Sequence, residues 1–178
     1  MIGMTTNRTA HRLMRTGDYR AVSRQIPAGA DTVYEMLCDV TRIGEWSPEC
    51  RAAQWLDGAV TAGVGVRFRG RNRSGLANWS RTCEIVEATP GRVFAFRTVP
   101  GRLTPDSTLW RYTLSPNAEG TLVTESYEIL QPLPEPIQHL VVRPLLSHHF
   151  DMRPDMVRTL ERLDAGVRAA RGSGTGGE

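Results

Sequence analysis

Between Cys50 and Leu130 the chain reads as a succession of short alternating runs, each broken by turn residues. The runs are CRAAQWLD, VGVRFRGRN, WSRTCEIVEA, RVFAFRTV, STLWRYTLS and TLVTESYEIL. Asp57-Gly58, Ser74-Gly75, Pro90-Gly91, Pro100-Gly101 and the stretch from Pro116 to Gly120 separate them. Six strands in about 80 residues leave no room for the long crossovers that parallel pairing needs, so the segment predicts an antiparallel meander.

The flanks supply the covering layer. A further strand, DYRAVSRQI, precedes a short helix DTVYEMLCDV in which Val33, Met36, Leu37 and Val40 share one face. A second short helical turn, TRIGEW, ends at Ser47-Pro48. After the meander, Met156, Leu160, Leu163 and Val167 form one apolar stripe at helical spacing. The apolar stretch from Ile137 to Phe150 also has helical texture, with Pro144 and Pro154 expected to kink or restart it. Seven strands against one helical stripe is an α+β problem with a geometric consequence. The sheet must curl round the helix, and the space between either fills with side chains or stays hollow.

At 178 residues the chain is the size of one domain. Residues 1–16 are polar and aperiodic and read as a mobile arm, 17–170 as the folded domain, and 171–178 as a disordered Gly/Ser tail. All 22 basic residues are arginine and the net charge is +3, mildly basic and unlike a nucleic-acid arm. Three cysteines without CxxC spacing suit reduced thiols in a cytoplasmic protein. No apolar run approaches the ~18 residues of a membrane span, and the N-terminal segment has no apolar core of the secretory kind. The expectation is a cytoplasmic monomer or homodimer with neither nucleic-acid nor integral-membrane partners.

The order of elements, with DVTRIGEWSPEC after the first helix and VEATPGRVFAFR at a central hairpin, resembles the SRPBCC superfamily. These are the START-like, birch-pollen-allergen-like helix-grip proteins, and the texture is nearest the bacterial polyketide cyclase/dehydrase-like branch. Trp46-Ser47-Pro48, the glycines Gly58, Gly63 and Gly65 ahead of the third strand, and the Pro-Gly-Arg turn carry the likeness, which spans Tyr19 to Val167. The resemblance implies a helix-grip fold: a seven-stranded curved antiparallel sheet wrapped round a long C-terminal helix, with two short helices between strands 1 and 2. It also implies a hollow that holds an apolar, lipid- or polyketide-like ligand, and in some members the cyclisation or dehydration of polyketides. Fold alone does not decide between these.

Strand parity then sorts the side chains. Val64, Val66 and Phe68 face inward, as do Phe94, Phe96 and Thr98, and Trp110, Tyr112 and Leu114. Glu125 sits in the row Val123, Tyr127, Ile129. In WSRTCEIVEA, Trp79, Cys83 and Ile85 compete with Thr82, Glu84 and Val86 for the inner face. A carboxylate among aromatics would be desolvated and its pKa raised toward general acid or base use. Alternatively Glu125 pairs with an arginine or sits in water at an open rim.

The ligand-contact set is therefore Phe68, Phe96, Trp110, Tyr112, Glu125 and Tyr127, with Arg143 from the helical side. If the protein is an enzyme, Glu125 is the base and Tyr127 the enol or oxyanion stabiliser. Trp46 reads as a lid or an anchor for the short helices. His148 and His149 are adjacent, about 100° apart on a helix, and His139 is out of register, so no metal site and no cofactor are expected. Arg67, Arg69, Arg71 and Arg73 form an outward stripe with Arg97 and Arg111. It reads either as solvated charges paired across strands with Glu87 or Glu128, or as a docking face for an acidic partner.

Overall fold

The computed structural model describes residues 12–102 and 104–173. Residues 1–11 of the expected arm and 174–178 of the expected tail lie outside it. The strands are β1 (Tyr19–Ile26), β2 (Cys50–Trp55), β3 (Arg67–Ser74), β4 (Ala77–Thr89), β5 (Val93–Thr98), β6 (Ser107–Asn117) and β7 (Gly120–Gln131). They form one antiparallel sheet in the order β1-β7-β6-β5-β4-β3-β2. Helix α1 (Ala30–Cys38) and a 3-10 turn (Val40–Glu45) carry the chain from one edge strand to the other. The long helix α4 (Arg153–Ser173) lies against the concave face, completing the helix-grip arrangement.

Alternation in the sequence becomes burial in the structure. On β7, Val123, Glu125, Tyr127 and Ile129 are all buried, and on β6 Tyr112 and Leu114 are. The stripe Met156, Leu160, Leu163 and Val167 on α4 is fully covered. From α1, Val33, Met36 and Leu37 pack inward together with Tyr34, whose ring meets Phe94 edge-on at 6.5 Å. Trp46 is 2% exposed and belongs to the core, so it is an anchor.

Three local features depart from simple strand and helix periodicity. Val64 is exposed: Val66 N–H bonds back to Gly63 O at 3.0 Å and Gly65 takes φ +84°, so a turn holds Val64 outward and β3 starts only at Arg67. In β4 a bulge between Ile85 and Glu87 shifts the phase. Cys83 and Ile85 are buried before it, and Ala88 packs on the core after it. A strand that changes phase midway cannot be assigned one inner face from its sequence.

The third departure is Pro144. Helical turns α2 (Glu135–Ile137) and α3 (Arg143–Leu145) are joined by a π-helical turn over Gln138–Val142. Pro144 follows that wider turn, where Arg143 N–H reaches back to Gln138 O, and the helix ends at Leu145. Pro154 sits in the first turn of α4, where its missing N–H costs nothing. Gln138 is buried and pins the N-terminal segment. Its side chain accepts from Met14 N–H at 2.9 Å and donates to Leu133 O at 2.8 Å.

Three of the outward arginines, Arg67, Arg97 and Arg111, pair across strands. Arg111 meets Glu87 at 2.6 Å, while Glu84 takes Arg97 at 3.3 Å and Arg67 at 3.7 Å. Helix α4 is tied to β1 by Asp164, which is buried and receives Arg24 at 3.1 Å and Arg168 at 2.7 Å. Since α4 is the long helix that closes the concave face, Leu163→Ala is expected to lower unfolding free energy by about 3 kcal/mol in urea melts. A loss under about 1 kcal/mol would show that the helix is not gripped as described.

Candidate functional site

Buried apolar side chains fall into two clusters. The larger runs from Ile26 and Val33 through Phe68, Ile85, Phe94 and Phe96 to Leu160 and Val167; the smaller is Tyr127, Ile129 and Met156. Where they meet, sheet and helix enclose a partly open cavity of about 190 Å³. Phe68, Phe96, Trp110 and Ile129 supply its apolar wall, with Met156 from α4. Gly70 follows Phe68 on the inner face of β3 and lines the cavity, where an added Cβ would come within 3.0 Å of Cys50 Sγ.

Two polar arrangements are built into this wall. Tyr112 and Glu125 are cross-strand partners, and Tyr112 Oη donates to Glu125 Oε1 at 2.9 Å. Glu125 Oε2 is buried and has no partner among the described residues. Burial raises the Glu125 carboxyl, the Tyr112 hydrogen bond opposes that only in part, and the Asp155 charge adds to it, leaving Glu125 at about 8. It is therefore a neutral acid at pH 7. Burial and the neighbouring Glu125 push the Tyr112 phenol well up, so it too stays protonated.

The second arrangement centres on Arg81. Its guanidinium donates to Asp106 Oδ1 at 2.7 Å and to Asp106 O at 2.8 Å, while the buried Nε lacks a partner among the described residues. Arg81 stands opposite Gly70 in the β3–β4 ladder. At the cavity mouth, Glu49 accepts from both His148 and His149, at 2.9 and 2.8 Å. Burial would raise the Glu49 carboxyl, but those two hydrogen bonds outweigh it and hold it at about 2. The hydrogen bond to Glu49 raises His148. Burial drives Cys83 up to about 12 and Cys50 up to about 11, so neither thiol on the wall is a nucleophile.

Of the side chains the sequence singles out, Phe68, Phe96, Trp110, Tyr112 and Glu125 meet in the cavity. Tyr127 does not line it. Its ring packs beside Trp110 at 5.6 Å and its hydroxyl is engaged by the Met152 backbone, because the segment entering α4 covers it. Arg143 is exposed on α3, away from the cavity wall. Arg81, Asp106 and Glu49 escape a reading of the sequence, and His149, weighed there only as a metal ligand, also lines the cavity. Arg81 shares parity with Trp79 and Cys83, so strand alternation would point to it if the β4 bulge did not blur the phase.

Residues 21–167 match the sequence model of the family described as polyketide cyclase / dehydrase and lipid transport. The chain belongs to that family. Ginseng major latex-like protein 151 from Panax ginseng superposes with a TM-score of 0.66 at 15% identity, over 85% of this chain and 98% of that one. The protein TTHA0849 from Thermus thermophilus gives 0.62 at 19% identity, over 86% and 99%. The di-domain aromatase/cyclase StfQ of the steffimycin biosynthetic pathway gives 0.66 at 12% identity, over 86% of this chain but 52% of StfQ. At these identities the structures share the fold. No curated protein matches the sequence. Among the described residues no helix is long and apolar enough to cross a membrane.

The buried Glu125 of this family member leads to a signed prediction. An unfolded glutamate titrates near ~4.3, so between that pH and about 8 the folded state binds more protons than the unfolded one. Stability must then fall as pH rises through this window, at up to about 1.4 kcal/mol per pH unit. Subtracting Glu125→Gln stability from wild type, by urea melts at each pH, cancels other groups such as His148. The difference is expected to decline from pH 5 to pH 8 and to be flat below about pH 3. A difference independent of pH would mean that Glu125 titrates normally.

Proposed function

We propose that the cavity takes up a small ligand with an aromatic or otherwise apolar body and one or two oxygen substituents. The observation that carries this reading is a pair of buried atoms without partners among the described residues, Arg81 Nε and Glu125 Oε2, in a wall that also carries Phe68, Phe96 and Trp110. Buried polar groups are rarely left unsatisfied, since each costs about 1–3 kcal/mol. A carbonyl or phenolate oxygen would satisfy Arg81, and a hydroxyl or carbonyl would satisfy the neutral carboxyl of Glu125. Volume sets the size. A cavity of ~150 Å³ holds a benzene ring, so 190 Å³ encloses one or two rings and leaves a longer molecule projecting through the mouth.

A second reading, catalysis of a cyclisation or dehydration on such a ligand, is favoured by Glu125 itself. A carboxyl poised at about 8 can give and recover a proton near neutral pH. Its resting form is the acid, so at pH 7 it donates first, whereas the sequence suggests a base. Tyr112, within hydrogen-bonding distance of it, takes the hydroxyl role that Tyr127 cannot reach. The family description, which pairs cyclase/dehydrase with lipid transport, accommodates either reading.

Tryptophan fluorescence titrations with naphthalene, 2-naphthol and 2-naphthoate test the proposal, because Trp110 and Trp79 line the cavity. 2-Naphthol is expected to bind more tightly than naphthalene, and Glu125→Leu to remove about tenfold of that affinity. Arg81→Met should weaken 2-naphthoate selectively. If none of the three quenches the protein, and denaturing extraction of freshly purified chain releases no small molecule, the cavity is not a ligand site.

A further inference from the structure

We infer that Glu49, His148 and His149 form a binding site for a first-row divalent cation, zinc in the first instance, at the mouth of the cavity. The site uses two imidazoles and one carboxylate from elements far apart in sequence. Glu49 immediately precedes β2, and the histidines occupy a 3-10 turn (Ser147–Phe150) just before α4. Both Nε2 atoms converge on the same carboxylate oxygen, at 2.9 and 2.8 Å, and the three ligand atoms lie within 4.8 Å of one another.

This geometry is close to a coordination sphere. Zinc lies ~2.0–2.1 Å from imidazole nitrogen and ~2.0–2.2 Å from carboxylate oxygen, so its ligands stand about 2.9–3.4 Å apart in tetrahedral or octahedral arrangements. The present nitrogen–oxygen separations need to widen by only a few tenths of an ångström. One cation between the three atoms would replace the two N–H protons that now point at the carboxylate. Two neutral imidazoles and a carboxylate are also the donor set that suits zinc and its first-row neighbours.

The supports are fixed in advance. Glu49 N–H and Cys50 N–H donate to Ser47 Oγ at 3.3 and 2.9 Å, and Glu49 O accepts from Arg73 N–H at 3.0 Å. The His149 ring stands edge-on to Trp79 at 5.7 Å. All three ligands are half-buried, so a cation from solvent can reach them. Three protein ligands leave at least one coordination position open. Because Glu49, His149 and Trp79 line the cavity, the site adjoins the space assigned to the ligand. A metal there would draw an oxygen substituent projecting through the mouth. The metal site stands without that ligand and is tested without it.

The test uses the full chain without a polyhistidine tag, stripped of metal and titrated with ZnCl2 by calorimetry and with CoCl2 by visible absorption. One equivalent of metal per chain is expected. His148→Gln/His149→Gln and, separately, Glu49→Gln should each weaken binding by tenfold or more while circular dichroism stays unchanged. The cobalt spectrum reads the ligand set independently of variant stability, and added acetohydroxamate should shift it through the open position. Equal zinc affinity in wild type and the folded double variant would overturn the site. So would a thiolate charge-transfer band, which would move the metal to Cys50 or Cys83. A wild-type chain that takes up no metal, but whose melting point falls in the double variant, would reduce the cluster to a hydrogen-bonded clasp.

Discussion

One long helix cannot cover a seven-stranded antiparallel sheet flush, and the rest of the molecule follows from that mismatch. The sheet curls until the stripe Met156–Leu160–Leu163–Val167 is buried, with α4 against β1, β7 and the 3-10 turn. Contact is still incomplete. The apolar interior divides into two clusters, and the hollow lies between them. β1 and β2 end up as opposite edge strands, so α1 and the 3-10 turn must cross from one to the other. That crossing delivers Trp46 to the core and Glu49 to the cavity mouth, where the histidines preceding α4 meet it.

The polar groups in the hollow are divided by charge state. The Arg81 guanidinium is held by Asp106, which supplies it with both a carboxylate and a carbonyl oxygen. Glu125 has only a phenol beside it, and a phenol does not offset the desolvation of an anion, so the carboxyl stays neutral. The wall thus presents a fixed positive donor and a neutral group that can donate or accept. The mouth presents a third chemistry, a carboxylate held ionised between two imidazoles.

How much of this is legible in the sequence follows from how local each cause is. The meander, the α4 stripe and the inward row Phe96, Trp110, Tyr112 and Glu125 obey periods of two or 3.6 and can be read directly. Losses come where the period breaks. Val64 has inward parity until the Gly63–Gly65 turn removes it from the strand, and the β4 bulge hides Arg81. Tyr127 has the right parity, but tertiary packing decides which inward residues line a hollow and which are covered, and the residues entering α4 cover this one. The histidine pair looks unfit for a metal because adjacent helical residues diverge. That argument leaves out Glu49, which lies 99 and 100 residues away in the chain and towards which both rings turn.

The wall residues also bear on whether this hollow is a packing defect or a site. A defect is cheapest when lined by carbon alone, and a Leu–Phe pair in place of Glu125 and Tyr112 would fill similar volume with no atom to desolvate. Instead the chain holds a carboxyl in a setting that costs stability at neutral pH and leaves one of its oxygens unpartnered among the described residues. Arg81 repeats the pattern on the neighbouring region of the sheet, its Nε without a partner among the described residues and its cross-strand neighbour a glycine. Two such costs lining one cavity are hard to assign to folding. Their common effect is to leave a hydrogen-bond donor and a neutral acid, each buried and without a partner among the described residues, on side chains that line one cavity.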